Sequence, residues 1–150
     1  MKHAINAKRL AVAAALAPLL IGAAASSTSE VGVDIGNLRN AKGTLLLCLS
    51  AKSEHFPNCT ADPAAHKIRV AAGEARGLVF TGVTPGDYAL SVMHDENGNG
   101  KLDTTMKIPR EGFGFSRNPV VRFGPPVFRD VRFAVPTGAS RLSIKMKYFL

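Results

Sequence analysis

The sequence has 150 residues, of which 46% are hydrophobic, and its formal net charge is +8. The basic residues are spread along the chain without a dense basic block or interleaved aromatic residues, which argues against a nucleic-acid-binding protein. We interpret the excess charge as the solvated outer faces of strands, with attraction to anionic envelope polymers or lipid as the alternative.

The first 25 residues have the pattern of a secretory signal peptide. Lys2, Lys8 and Arg9 precede an apolar run over residues 10–25, which ends in three alanines before Ser26. The run is shorter than the roughly 20 apolar residues that span a bilayer, and its small final residues suit a cleavage site. We therefore expect a periplasmic or secreted protein whose mature part, residues 26–150, is one domain without a transmembrane span.

The remainder of the chain alternates apolar and polar residues with the period of a β-strand. This pattern predicts about seven strands, over residues 31–35, 44–49, 67–70, 78–80, 87–94, 131–133 and 141–148. The continuous apolar run at 44–49 is typical of a strand buried on both faces. Because no helical periodicity supplies crossovers between parallel strands, the sequence predicts an all-β domain, a single antiparallel β-sandwich.

Two cysteines, Cys48 and Cys59, lie in the part of the chain that we expect to be exported. An even number of cysteines in an oxidising compartment favours a disulfide, and closing so short a loop stabilises a fold by about 3 kcal/mol on the chain-entropy view. Two free thiols or half of a metal site are the alternatives.

The segment from Asp95 to Asp103 resembles an EF-hand calcium loop, because oxygen-bearing side chains recur every second residue around a glycine. The candidate ligands are the Lys101 carbonyl oxygen and four side chains, those of Asp95, Asn97, Asn99 and Asp103. Position 12, where an EF-hand has a bidentate Glu, is Met106, so Glu111 or Asp130 would have to complete the shell. Two carboxylates predict weak calcium binding, with a Kd of about 10⁻⁴ to 10⁻³ M. The alternative is a hairpin in which the Asn-Gly steps only supply positive φ.

Residues 104–126 form a long segment outside the strand rhythm, and such segments are usually functional or disordered. Its aromatic residues argue against disorder. Phe113 and Phe115 either form an apolar lip beside the acidic loop or pack in the core, and Ser116 is a further candidate binding residue.

His94 ends the strand that leads into the acidic loop. It lies on the same face as Leu90 and Val92, so we expect it to be buried with one hydrogen-bond partner. The alternative is a small metal-dependent or acid/base hydrolase in which His94 acts with Asp95 and Glu111. No HExxH, GxSxG or Gly-rich phosphate-binding motif is present, so no catalytic residue is assigned.

Three motifs in fixed order resemble a bacterial exported family catalogued as domain of unknown function 2141: HDENGNGKLD at 94–103, IPREGFGFSRN at 108–118 and FGPPVFRDVRF at 123–133. The segment FTGVTPGDY at 80–88 is also similar to the strand-turn-strand of transthyretin-like and collagen-adhesin B-type sandwich modules. The resemblance implies a small exported sandwich, immunoglobulin-like or transthyretin-like, with no assigned activity.

Together these features favour an exported, non-enzymatic β-sandwich with a weak calcium loop. It would serve as a binding or accessory module for an unknown ligand or protein of the cell envelope. The hydrolase remains the alternative function.

Overall fold

The computed structural model describes residues 27–150, so the predicted signal peptide at 1–25 lies outside the described residues. Within this part of the chain, no helix is long and apolar enough to cross a membrane. Its secondary structure is mainly β, with one short α-helix, α1 (Phe128–Val131), and two 3-10 helices at Ser53–His55 and Ala72–Glu74. The all-β prediction is therefore confirmed.

Ten strands are present between residues 27 and 150. In chain order they are β1 (Ser29–Gly36), β2 (Thr44–Ser50), β3 (His66–Ala71), β4 (Leu78–Val83), β5 (Gly86–Asp95), β6 (Thr104–Thr105), β7 (Ile108–Pro109), β8 (Gly112–Phe115), β9 (Phe133–Val135) and β10 (Ala139–Lys145). The seven predicted strands correspond to β1–β5, β9 and β10. The strand predicted at 131–133 is displaced, because Val131 ends α1 and β9 begins only at Phe133. The three additional strands are short and lie in the segment that the sequence predicts to be a loop.

The strands form two main sheets and one small hairpin. One sheet has the order β10-β1-β4, the other has the order β3-β2-β5-β8 with β9 also paired to β5, and β6 pairs with β7. The strand pairs are antiparallel except for β1 and β10, which run parallel. The alternation within each strand cannot reveal this parallel pair, because it specifies a buried face and not a neighbour.

The two sheets share one hydrophobic core. Alternate residues of β1 and β2 point into it, and the core-facing residues of these strands are Val31, Val33, Ile35, Leu45, Leu47 and Leu49. Burial of this kind stabilises a fold by about 25 cal/mol per Å² of apolar surface. The outward-facing residues of β2 are partly exposed, so β2 is less buried than its continuous apolar run predicts.

A second cluster of buried residues covers the outer face of the β5 sheet. It contains Ala89, Phe113, Phe115 and Val131. As a result β5 is buried on both faces over most of its length.

Cys48 of β2 forms the predicted disulfide with Cys59, and their Cα atoms are 6.1 Å apart.

These pairings fix the position of the acidic loop at one end of the β5 sheet. Asp95 is the last residue of β5 and is paired with Thr44 of β2, while His94 is paired with Leu45 and Gly112. The loop therefore begins between two neighbouring strands of a packed sheet, and not between two helices.

Candidate functional site

The carboxylate of Asp95 organises the start of the loop. Asp95 is fully buried. Its Oδ1 accepts hydrogen bonds from the backbone N–H groups of Gly98 (2.8 Å) and Asn99 (3.1 Å), and its Oδ2 accepts one from Gly100 (2.8 Å). Gly98 and Gly100 both have φ of +77°, a conformation that glycine adopts without steric cost. The loop thus winds around the side chain at its first position.

The remaining predicted ligand side chains converge on Asp103. Its two carboxylate oxygens accept hydrogen bonds from the side-chain amide groups of Asn97 (2.6 Å) and Asn99 (2.9 Å). The amide oxygens of the same residues accept backbone N–H groups two residues further on, at Asn99 and Lys101. These are Asx turns, in which a side chain takes the place of a backbone acceptor. Lys101 has a part in this network through its N–H group.

Glu111 folds back onto the loop, whereas Asp130 lies in α1 beside Arg129. The Glu111 side chain is 4% exposed, and its two oxygens accept the N–H groups of Glu96 (2.9 Å) and Asp103 (3.0 Å). It therefore joins the two ends of the loop. Met106, at the twelfth position, is 90% exposed.

His94 is buried with both ring nitrogens occupied. Nδ1 lies 2.7 Å from the Tyr148 hydroxyl, and Nε2 lies 2.7 Å from the carbonyl oxygen of Lys42. Because a carbonyl only accepts, Nε2 carries the proton and Nδ1 accepts the Tyr148 hydroxyl proton. The expected single partner is thus replaced by two. Since both ring nitrogens already have partners, neither is left for a substrate, and this geometry gives the hydrolase alternative no support.

Arg39, which follows β1, forms an ion pair with Glu96 at the start of the acidic loop. Arg39 Nε and Nη2 donate to the two oxygens of Glu96 at 2.7 and 2.8 Å, and the guanidinium carbon lies 4.6 Å from the centre of the Tyr148 ring. The hydrogen bond from Arg39 lowers the pKa of Glu96, and the hydrogen bond to Glu96 raises the pKa of Arg39. Burial raises the pKa of the Tyr148 hydroxyl, which keeps it protonated as the donor to His94.

An open cavity of about 530 Å³ lies beside the loop. Both signs of charge face it, and its lining residues include Arg39, Lys42, Glu96, Asn97, Asp103 and Glu111. Among residues 27–150, no three or more His, Cys, Asp or Glu side chains are gathered as a set of metal ligands. Asp103 and Glu111 both line this cavity, but the Glu111 carboxylate accepts backbone N–H groups, whereas the Asp103 carboxylate accepts only the side-chain amide groups of Asn97 and Asn99.

The family model described as "uncharacterized protein conserved in bacteria (DUF2141)" matches residues 33–143. The matched part runs from β1 into β10 and contains the acidic loop, Glu111 and the disulfide. The chain belongs to this family. No curated protein and no solved structure matches it. The predicted family is confirmed, and membership in DUF2141 assigns no activity.

In this DUF2141 protein the candidate binding residues that follow Glu111 are parts of the core. Phe113 and Phe115 are each 6% exposed and their ring centres are 5.9 Å apart. Ser116 is fully buried, where its hydroxyl donates to the carbonyl of Val131 (2.6 Å) and accepts the N–H of Leu90 (3.0 Å). Of the two alternatives for the phenylalanines, core packing is the one observed.

Two residues that hold the acidic loop of this DUF2141 protein lie far from it in the chain, and the sequence does not identify them. Arg39 and Tyr148 are separated from the loop by more than 40 residues, and no local pattern indicates their role. Gly43 gave a weak signal as part of the turn Asn40-Ala41-Lys42-Gly43. Its φ is +69°, and its missing side chain leaves room for the backbone of Asp95.

Proposed function

We propose that this protein is an exported, non-enzymatic module of the cell envelope whose Asp95–Asp103 loop binds calcium weakly. The observation that carries the proposal is the convergence of Asn97 and Asn99 on the Asp103 carboxylate at the edge of an open cavity. Oxygen-rich side chains at alternate positions are the ligands that calcium prefers.

The charge balance of the loop supports weak binding. Within the described residues, the ion pairs include none with Asp103, whose oxygens accept hydrogen bonds from the two amide groups of Asn97 and Asn99. A calcium ion would take over this role, with Asp103 and the side-chain oxygens of the two asparagines as ligands. Because Asp95 and Glu111 already hold backbone N–H groups, few charges are left for the ion, and a Kd of about 10⁻³ M is expected.

Two features support the export part of the proposal. The first is the signal-peptide pattern of residues 1–25. The second is the Cys48–Cys59 disulfide, since stable disulfides are typical of the periplasm and the extracellular space. The module would therefore meet an envelope ligand or protein in a compartment where calcium is available.

Calcium titration of the purified protein tests the loop. With a Kd of about 1 mM, about 10 mM calcium raises the free energy of unfolding by about 1.4 kcal/mol, which is visible as a higher Tm. The backbone amide resonances of residues 97–103 should shift in the same titration. Magnesium at equal ionic strength separates specific binding from screening of surface charge.

Two variants make the test specific. Asp103→Asn removes the partly buried carboxylate at the centre of the proposed site and should abolish both responses, whereas Asp87→Asn, at an exposed acidic residue paired with Arg132, should retain them. The calcium proposal is lost if the parent protein shows no change in Tm and no shift at 97–103. Equal responses in the two variants would place calcium binding elsewhere.

A further inference from the structure

From the end of β8 into the first half of α1 the chain forms a largely exposed segment, residues 117–129, which we call the tip segment. Three of its apolar side chains are exposed to an unusual degree: Val120 is 79% exposed, Phe123 98% and Val127 55%. Large exposed apolar side chains that are gathered in one short segment, and not scattered singly over the surface, mark candidate interaction sites. The tip segment is therefore a candidate interaction surface.

The charges on the tip segment are of one sign. It contains three exposed arginines, Arg117, Arg122 and Arg129, and no acidic residue. Asp130, the residue that follows the segment, has its carboxylate 3.6 Å from Arg129 and offsets the charge of that arginine, which leaves Arg117 and Arg122. The exposed apolar residues thus lie in a local excess of positive charge.

Both ends of the tip segment are fixed to the sandwich. At one end, the Asn118 side chain accepts the N–H of Lys145 (2.7 Å) and donates to the carbonyl of Ser143 (2.9 Å). At the other end, Phe128 packs edge-on against Phe56 with ring centres 6.1 Å apart. The middle of the segment projects between these anchors, and an open groove of about 570 Å³ lies beside it.

We infer that the tip segment docks on the surface of an anionic lipid bilayer. Phe123 would enter the headgroup region together with the exposed valines, while the arginines remain near the lipid phosphates. A soluble anionic polymer would attract the arginines equally well, but it offers no apolar phase for Phe123. The inference rests on the export part of the proposed function and is independent of calcium.

Vesicle co-sedimentation of residues 26–150, which contain every described element, tests this inference. Residues 1–25 are left out because their apolar run would itself enter lipid. With EDTA present, the protein should bind vesicles of phosphatidylglycerol mixed with phosphatidylcholine, bind pure phosphatidylcholine much more weakly, and dissociate as salt is raised.

Two pairs of variants assign the binding to the tip segment. Phe123→Ser should weaken binding about ten-fold, because the variant has no aromatic ring to insert into the bilayer, whereas Val79→Ser, at a 46% exposed position of β4, should have little effect. Arg122→Gln should weaken binding about five-fold at low salt, more than Arg69→Gln on β3. All four positions are outside the core, so an unchanged Tm verifies the fold.

Three results would overturn the inference. They are absence of binding to anionic vesicles at low salt, equal loss in Phe123→Ser and Val79→Ser, and tighter binding to a soluble polyanion that depends on Arg122 but not on Phe123. Asp103→Asn should bind vesicles like the parent protein. Failure of the calcium titration alone therefore leaves the lipid inference intact, and failure of vesicle binding leaves the calcium proposal intact.

Discussion

At the scale of single residues, Gly43 determines how closely the turn before β2 approaches the end of β5. A Cβ atom on Gly43 would lie 2.1 Å from the carbonyl oxygen of Asp95 and 2.6 Å from the Cα of Glu96, and φ at Gly43 is +69°. Both contacts are with backbone, which cannot rotate away as a side chain can. The neighbouring Lys42 carbonyl holds His94, so the whole loop base depends on this close approach.

We expect Gly43→Ala to destabilise the fold by at least about 2 kcal/mol, because left-handed strain adds to a clash with backbone. Urea denaturation measures the free energy of unfolding. Gly73→Ala is the matched control, since a Cβ at Gly73 meets nothing within 4 Å. If the two variants unfold at the same urea concentration, the approach of Gly43 to Asp95 does not constrain the loop base.

At the scale of structural elements, Glu111 fastens the β6–β7 hairpin to the acidic loop. It accepts the N–H groups of Glu96 and Asp103, and the N–H of Arg110 donates to the carbonyl of Asp103 (2.8 Å). The hairpin has only two residues in each strand, which is too short for independent stability. Its order therefore depends on the hydrogen bonds that Glu111 provides.

Glu111→Gln should loosen this part of the molecule. The amide has one accepting oxygen in place of two, so one partly buried N–H loses its partner at a cost of about 1 kcal/mol. Hydrogen exchange should become faster at residues 96–111 and change less in β1 and β10. Glu74→Gln, at an exposed position, should leave exchange unchanged. Uniform acceleration over the entire sheet would argue that Glu111 supports the whole fold and not the hairpin.

Of the three strands that lie within the predicted loop at 104–126, β8 is the longest, and its sequence explains why the strand pattern is not visible there. β8 has the sequence Gly-Phe-Gly-Phe, and glycine is disfavoured in strands. Its glycines are required by packing, because a Cβ on Gly112 would lie 2.4 Å from the Tyr148 ring and one on Gly114 would lie 2.7 Å from Ile144. This need arises only when β8 meets the end of the chain, so the local sequence cannot indicate it.

At the scale of the whole molecule, the sequence predicts features formed by residues close together in the chain, and it does not predict the contacts between distant segments. The strands, the Cys48–Cys59 disulfide and the Asp95–Asp103 turn each follow from residues close together in the chain. The parallel pairing of β1 with β10 and the ion pair of Arg39 with Glu96 do not. Arg39 also donates to the backbone carbonyls of Arg110 and Leu150, so one side chain links the first loop, the acidic loop and the chain end.

Two carboxylates, Glu96 and Asp62, make the stability of the fold dependent on pH. The hydrogen bond and charge of Arg39 outweigh burial and lower the pKa of Glu96. At Asp62 burial acts to raise the pKa, but the Ala64 N–H, Ser50 and Lys52 outweigh it, so the pKa is lowered. Both carboxylates therefore release protons more readily in the folded chain than in the unfolded chain. Their stabilising contribution is present above the unfolded pKa values of about 4 and is lost as pH falls through the lower folded values.

We expect the Tm to stay nearly constant from neutral pH to about pH 5 and to fall steadily below it. Glu96→Gln should lower the Tm at neutral pH, because Arg39 loses its charged partner. It should also flatten the decline in acid, because Glu96 is one of the two carboxylates whose pKa folding lowers. Glu30→Gln, at an exposed position of β1, should keep the slope of the parent protein. If the Tm of Glu96→Gln falls with acid as steeply as that of the parent protein, Arg39 and Glu96 are not paired in solution. The contact between the acidic loop and the end of the chain would then have to come from Tyr148 and His94.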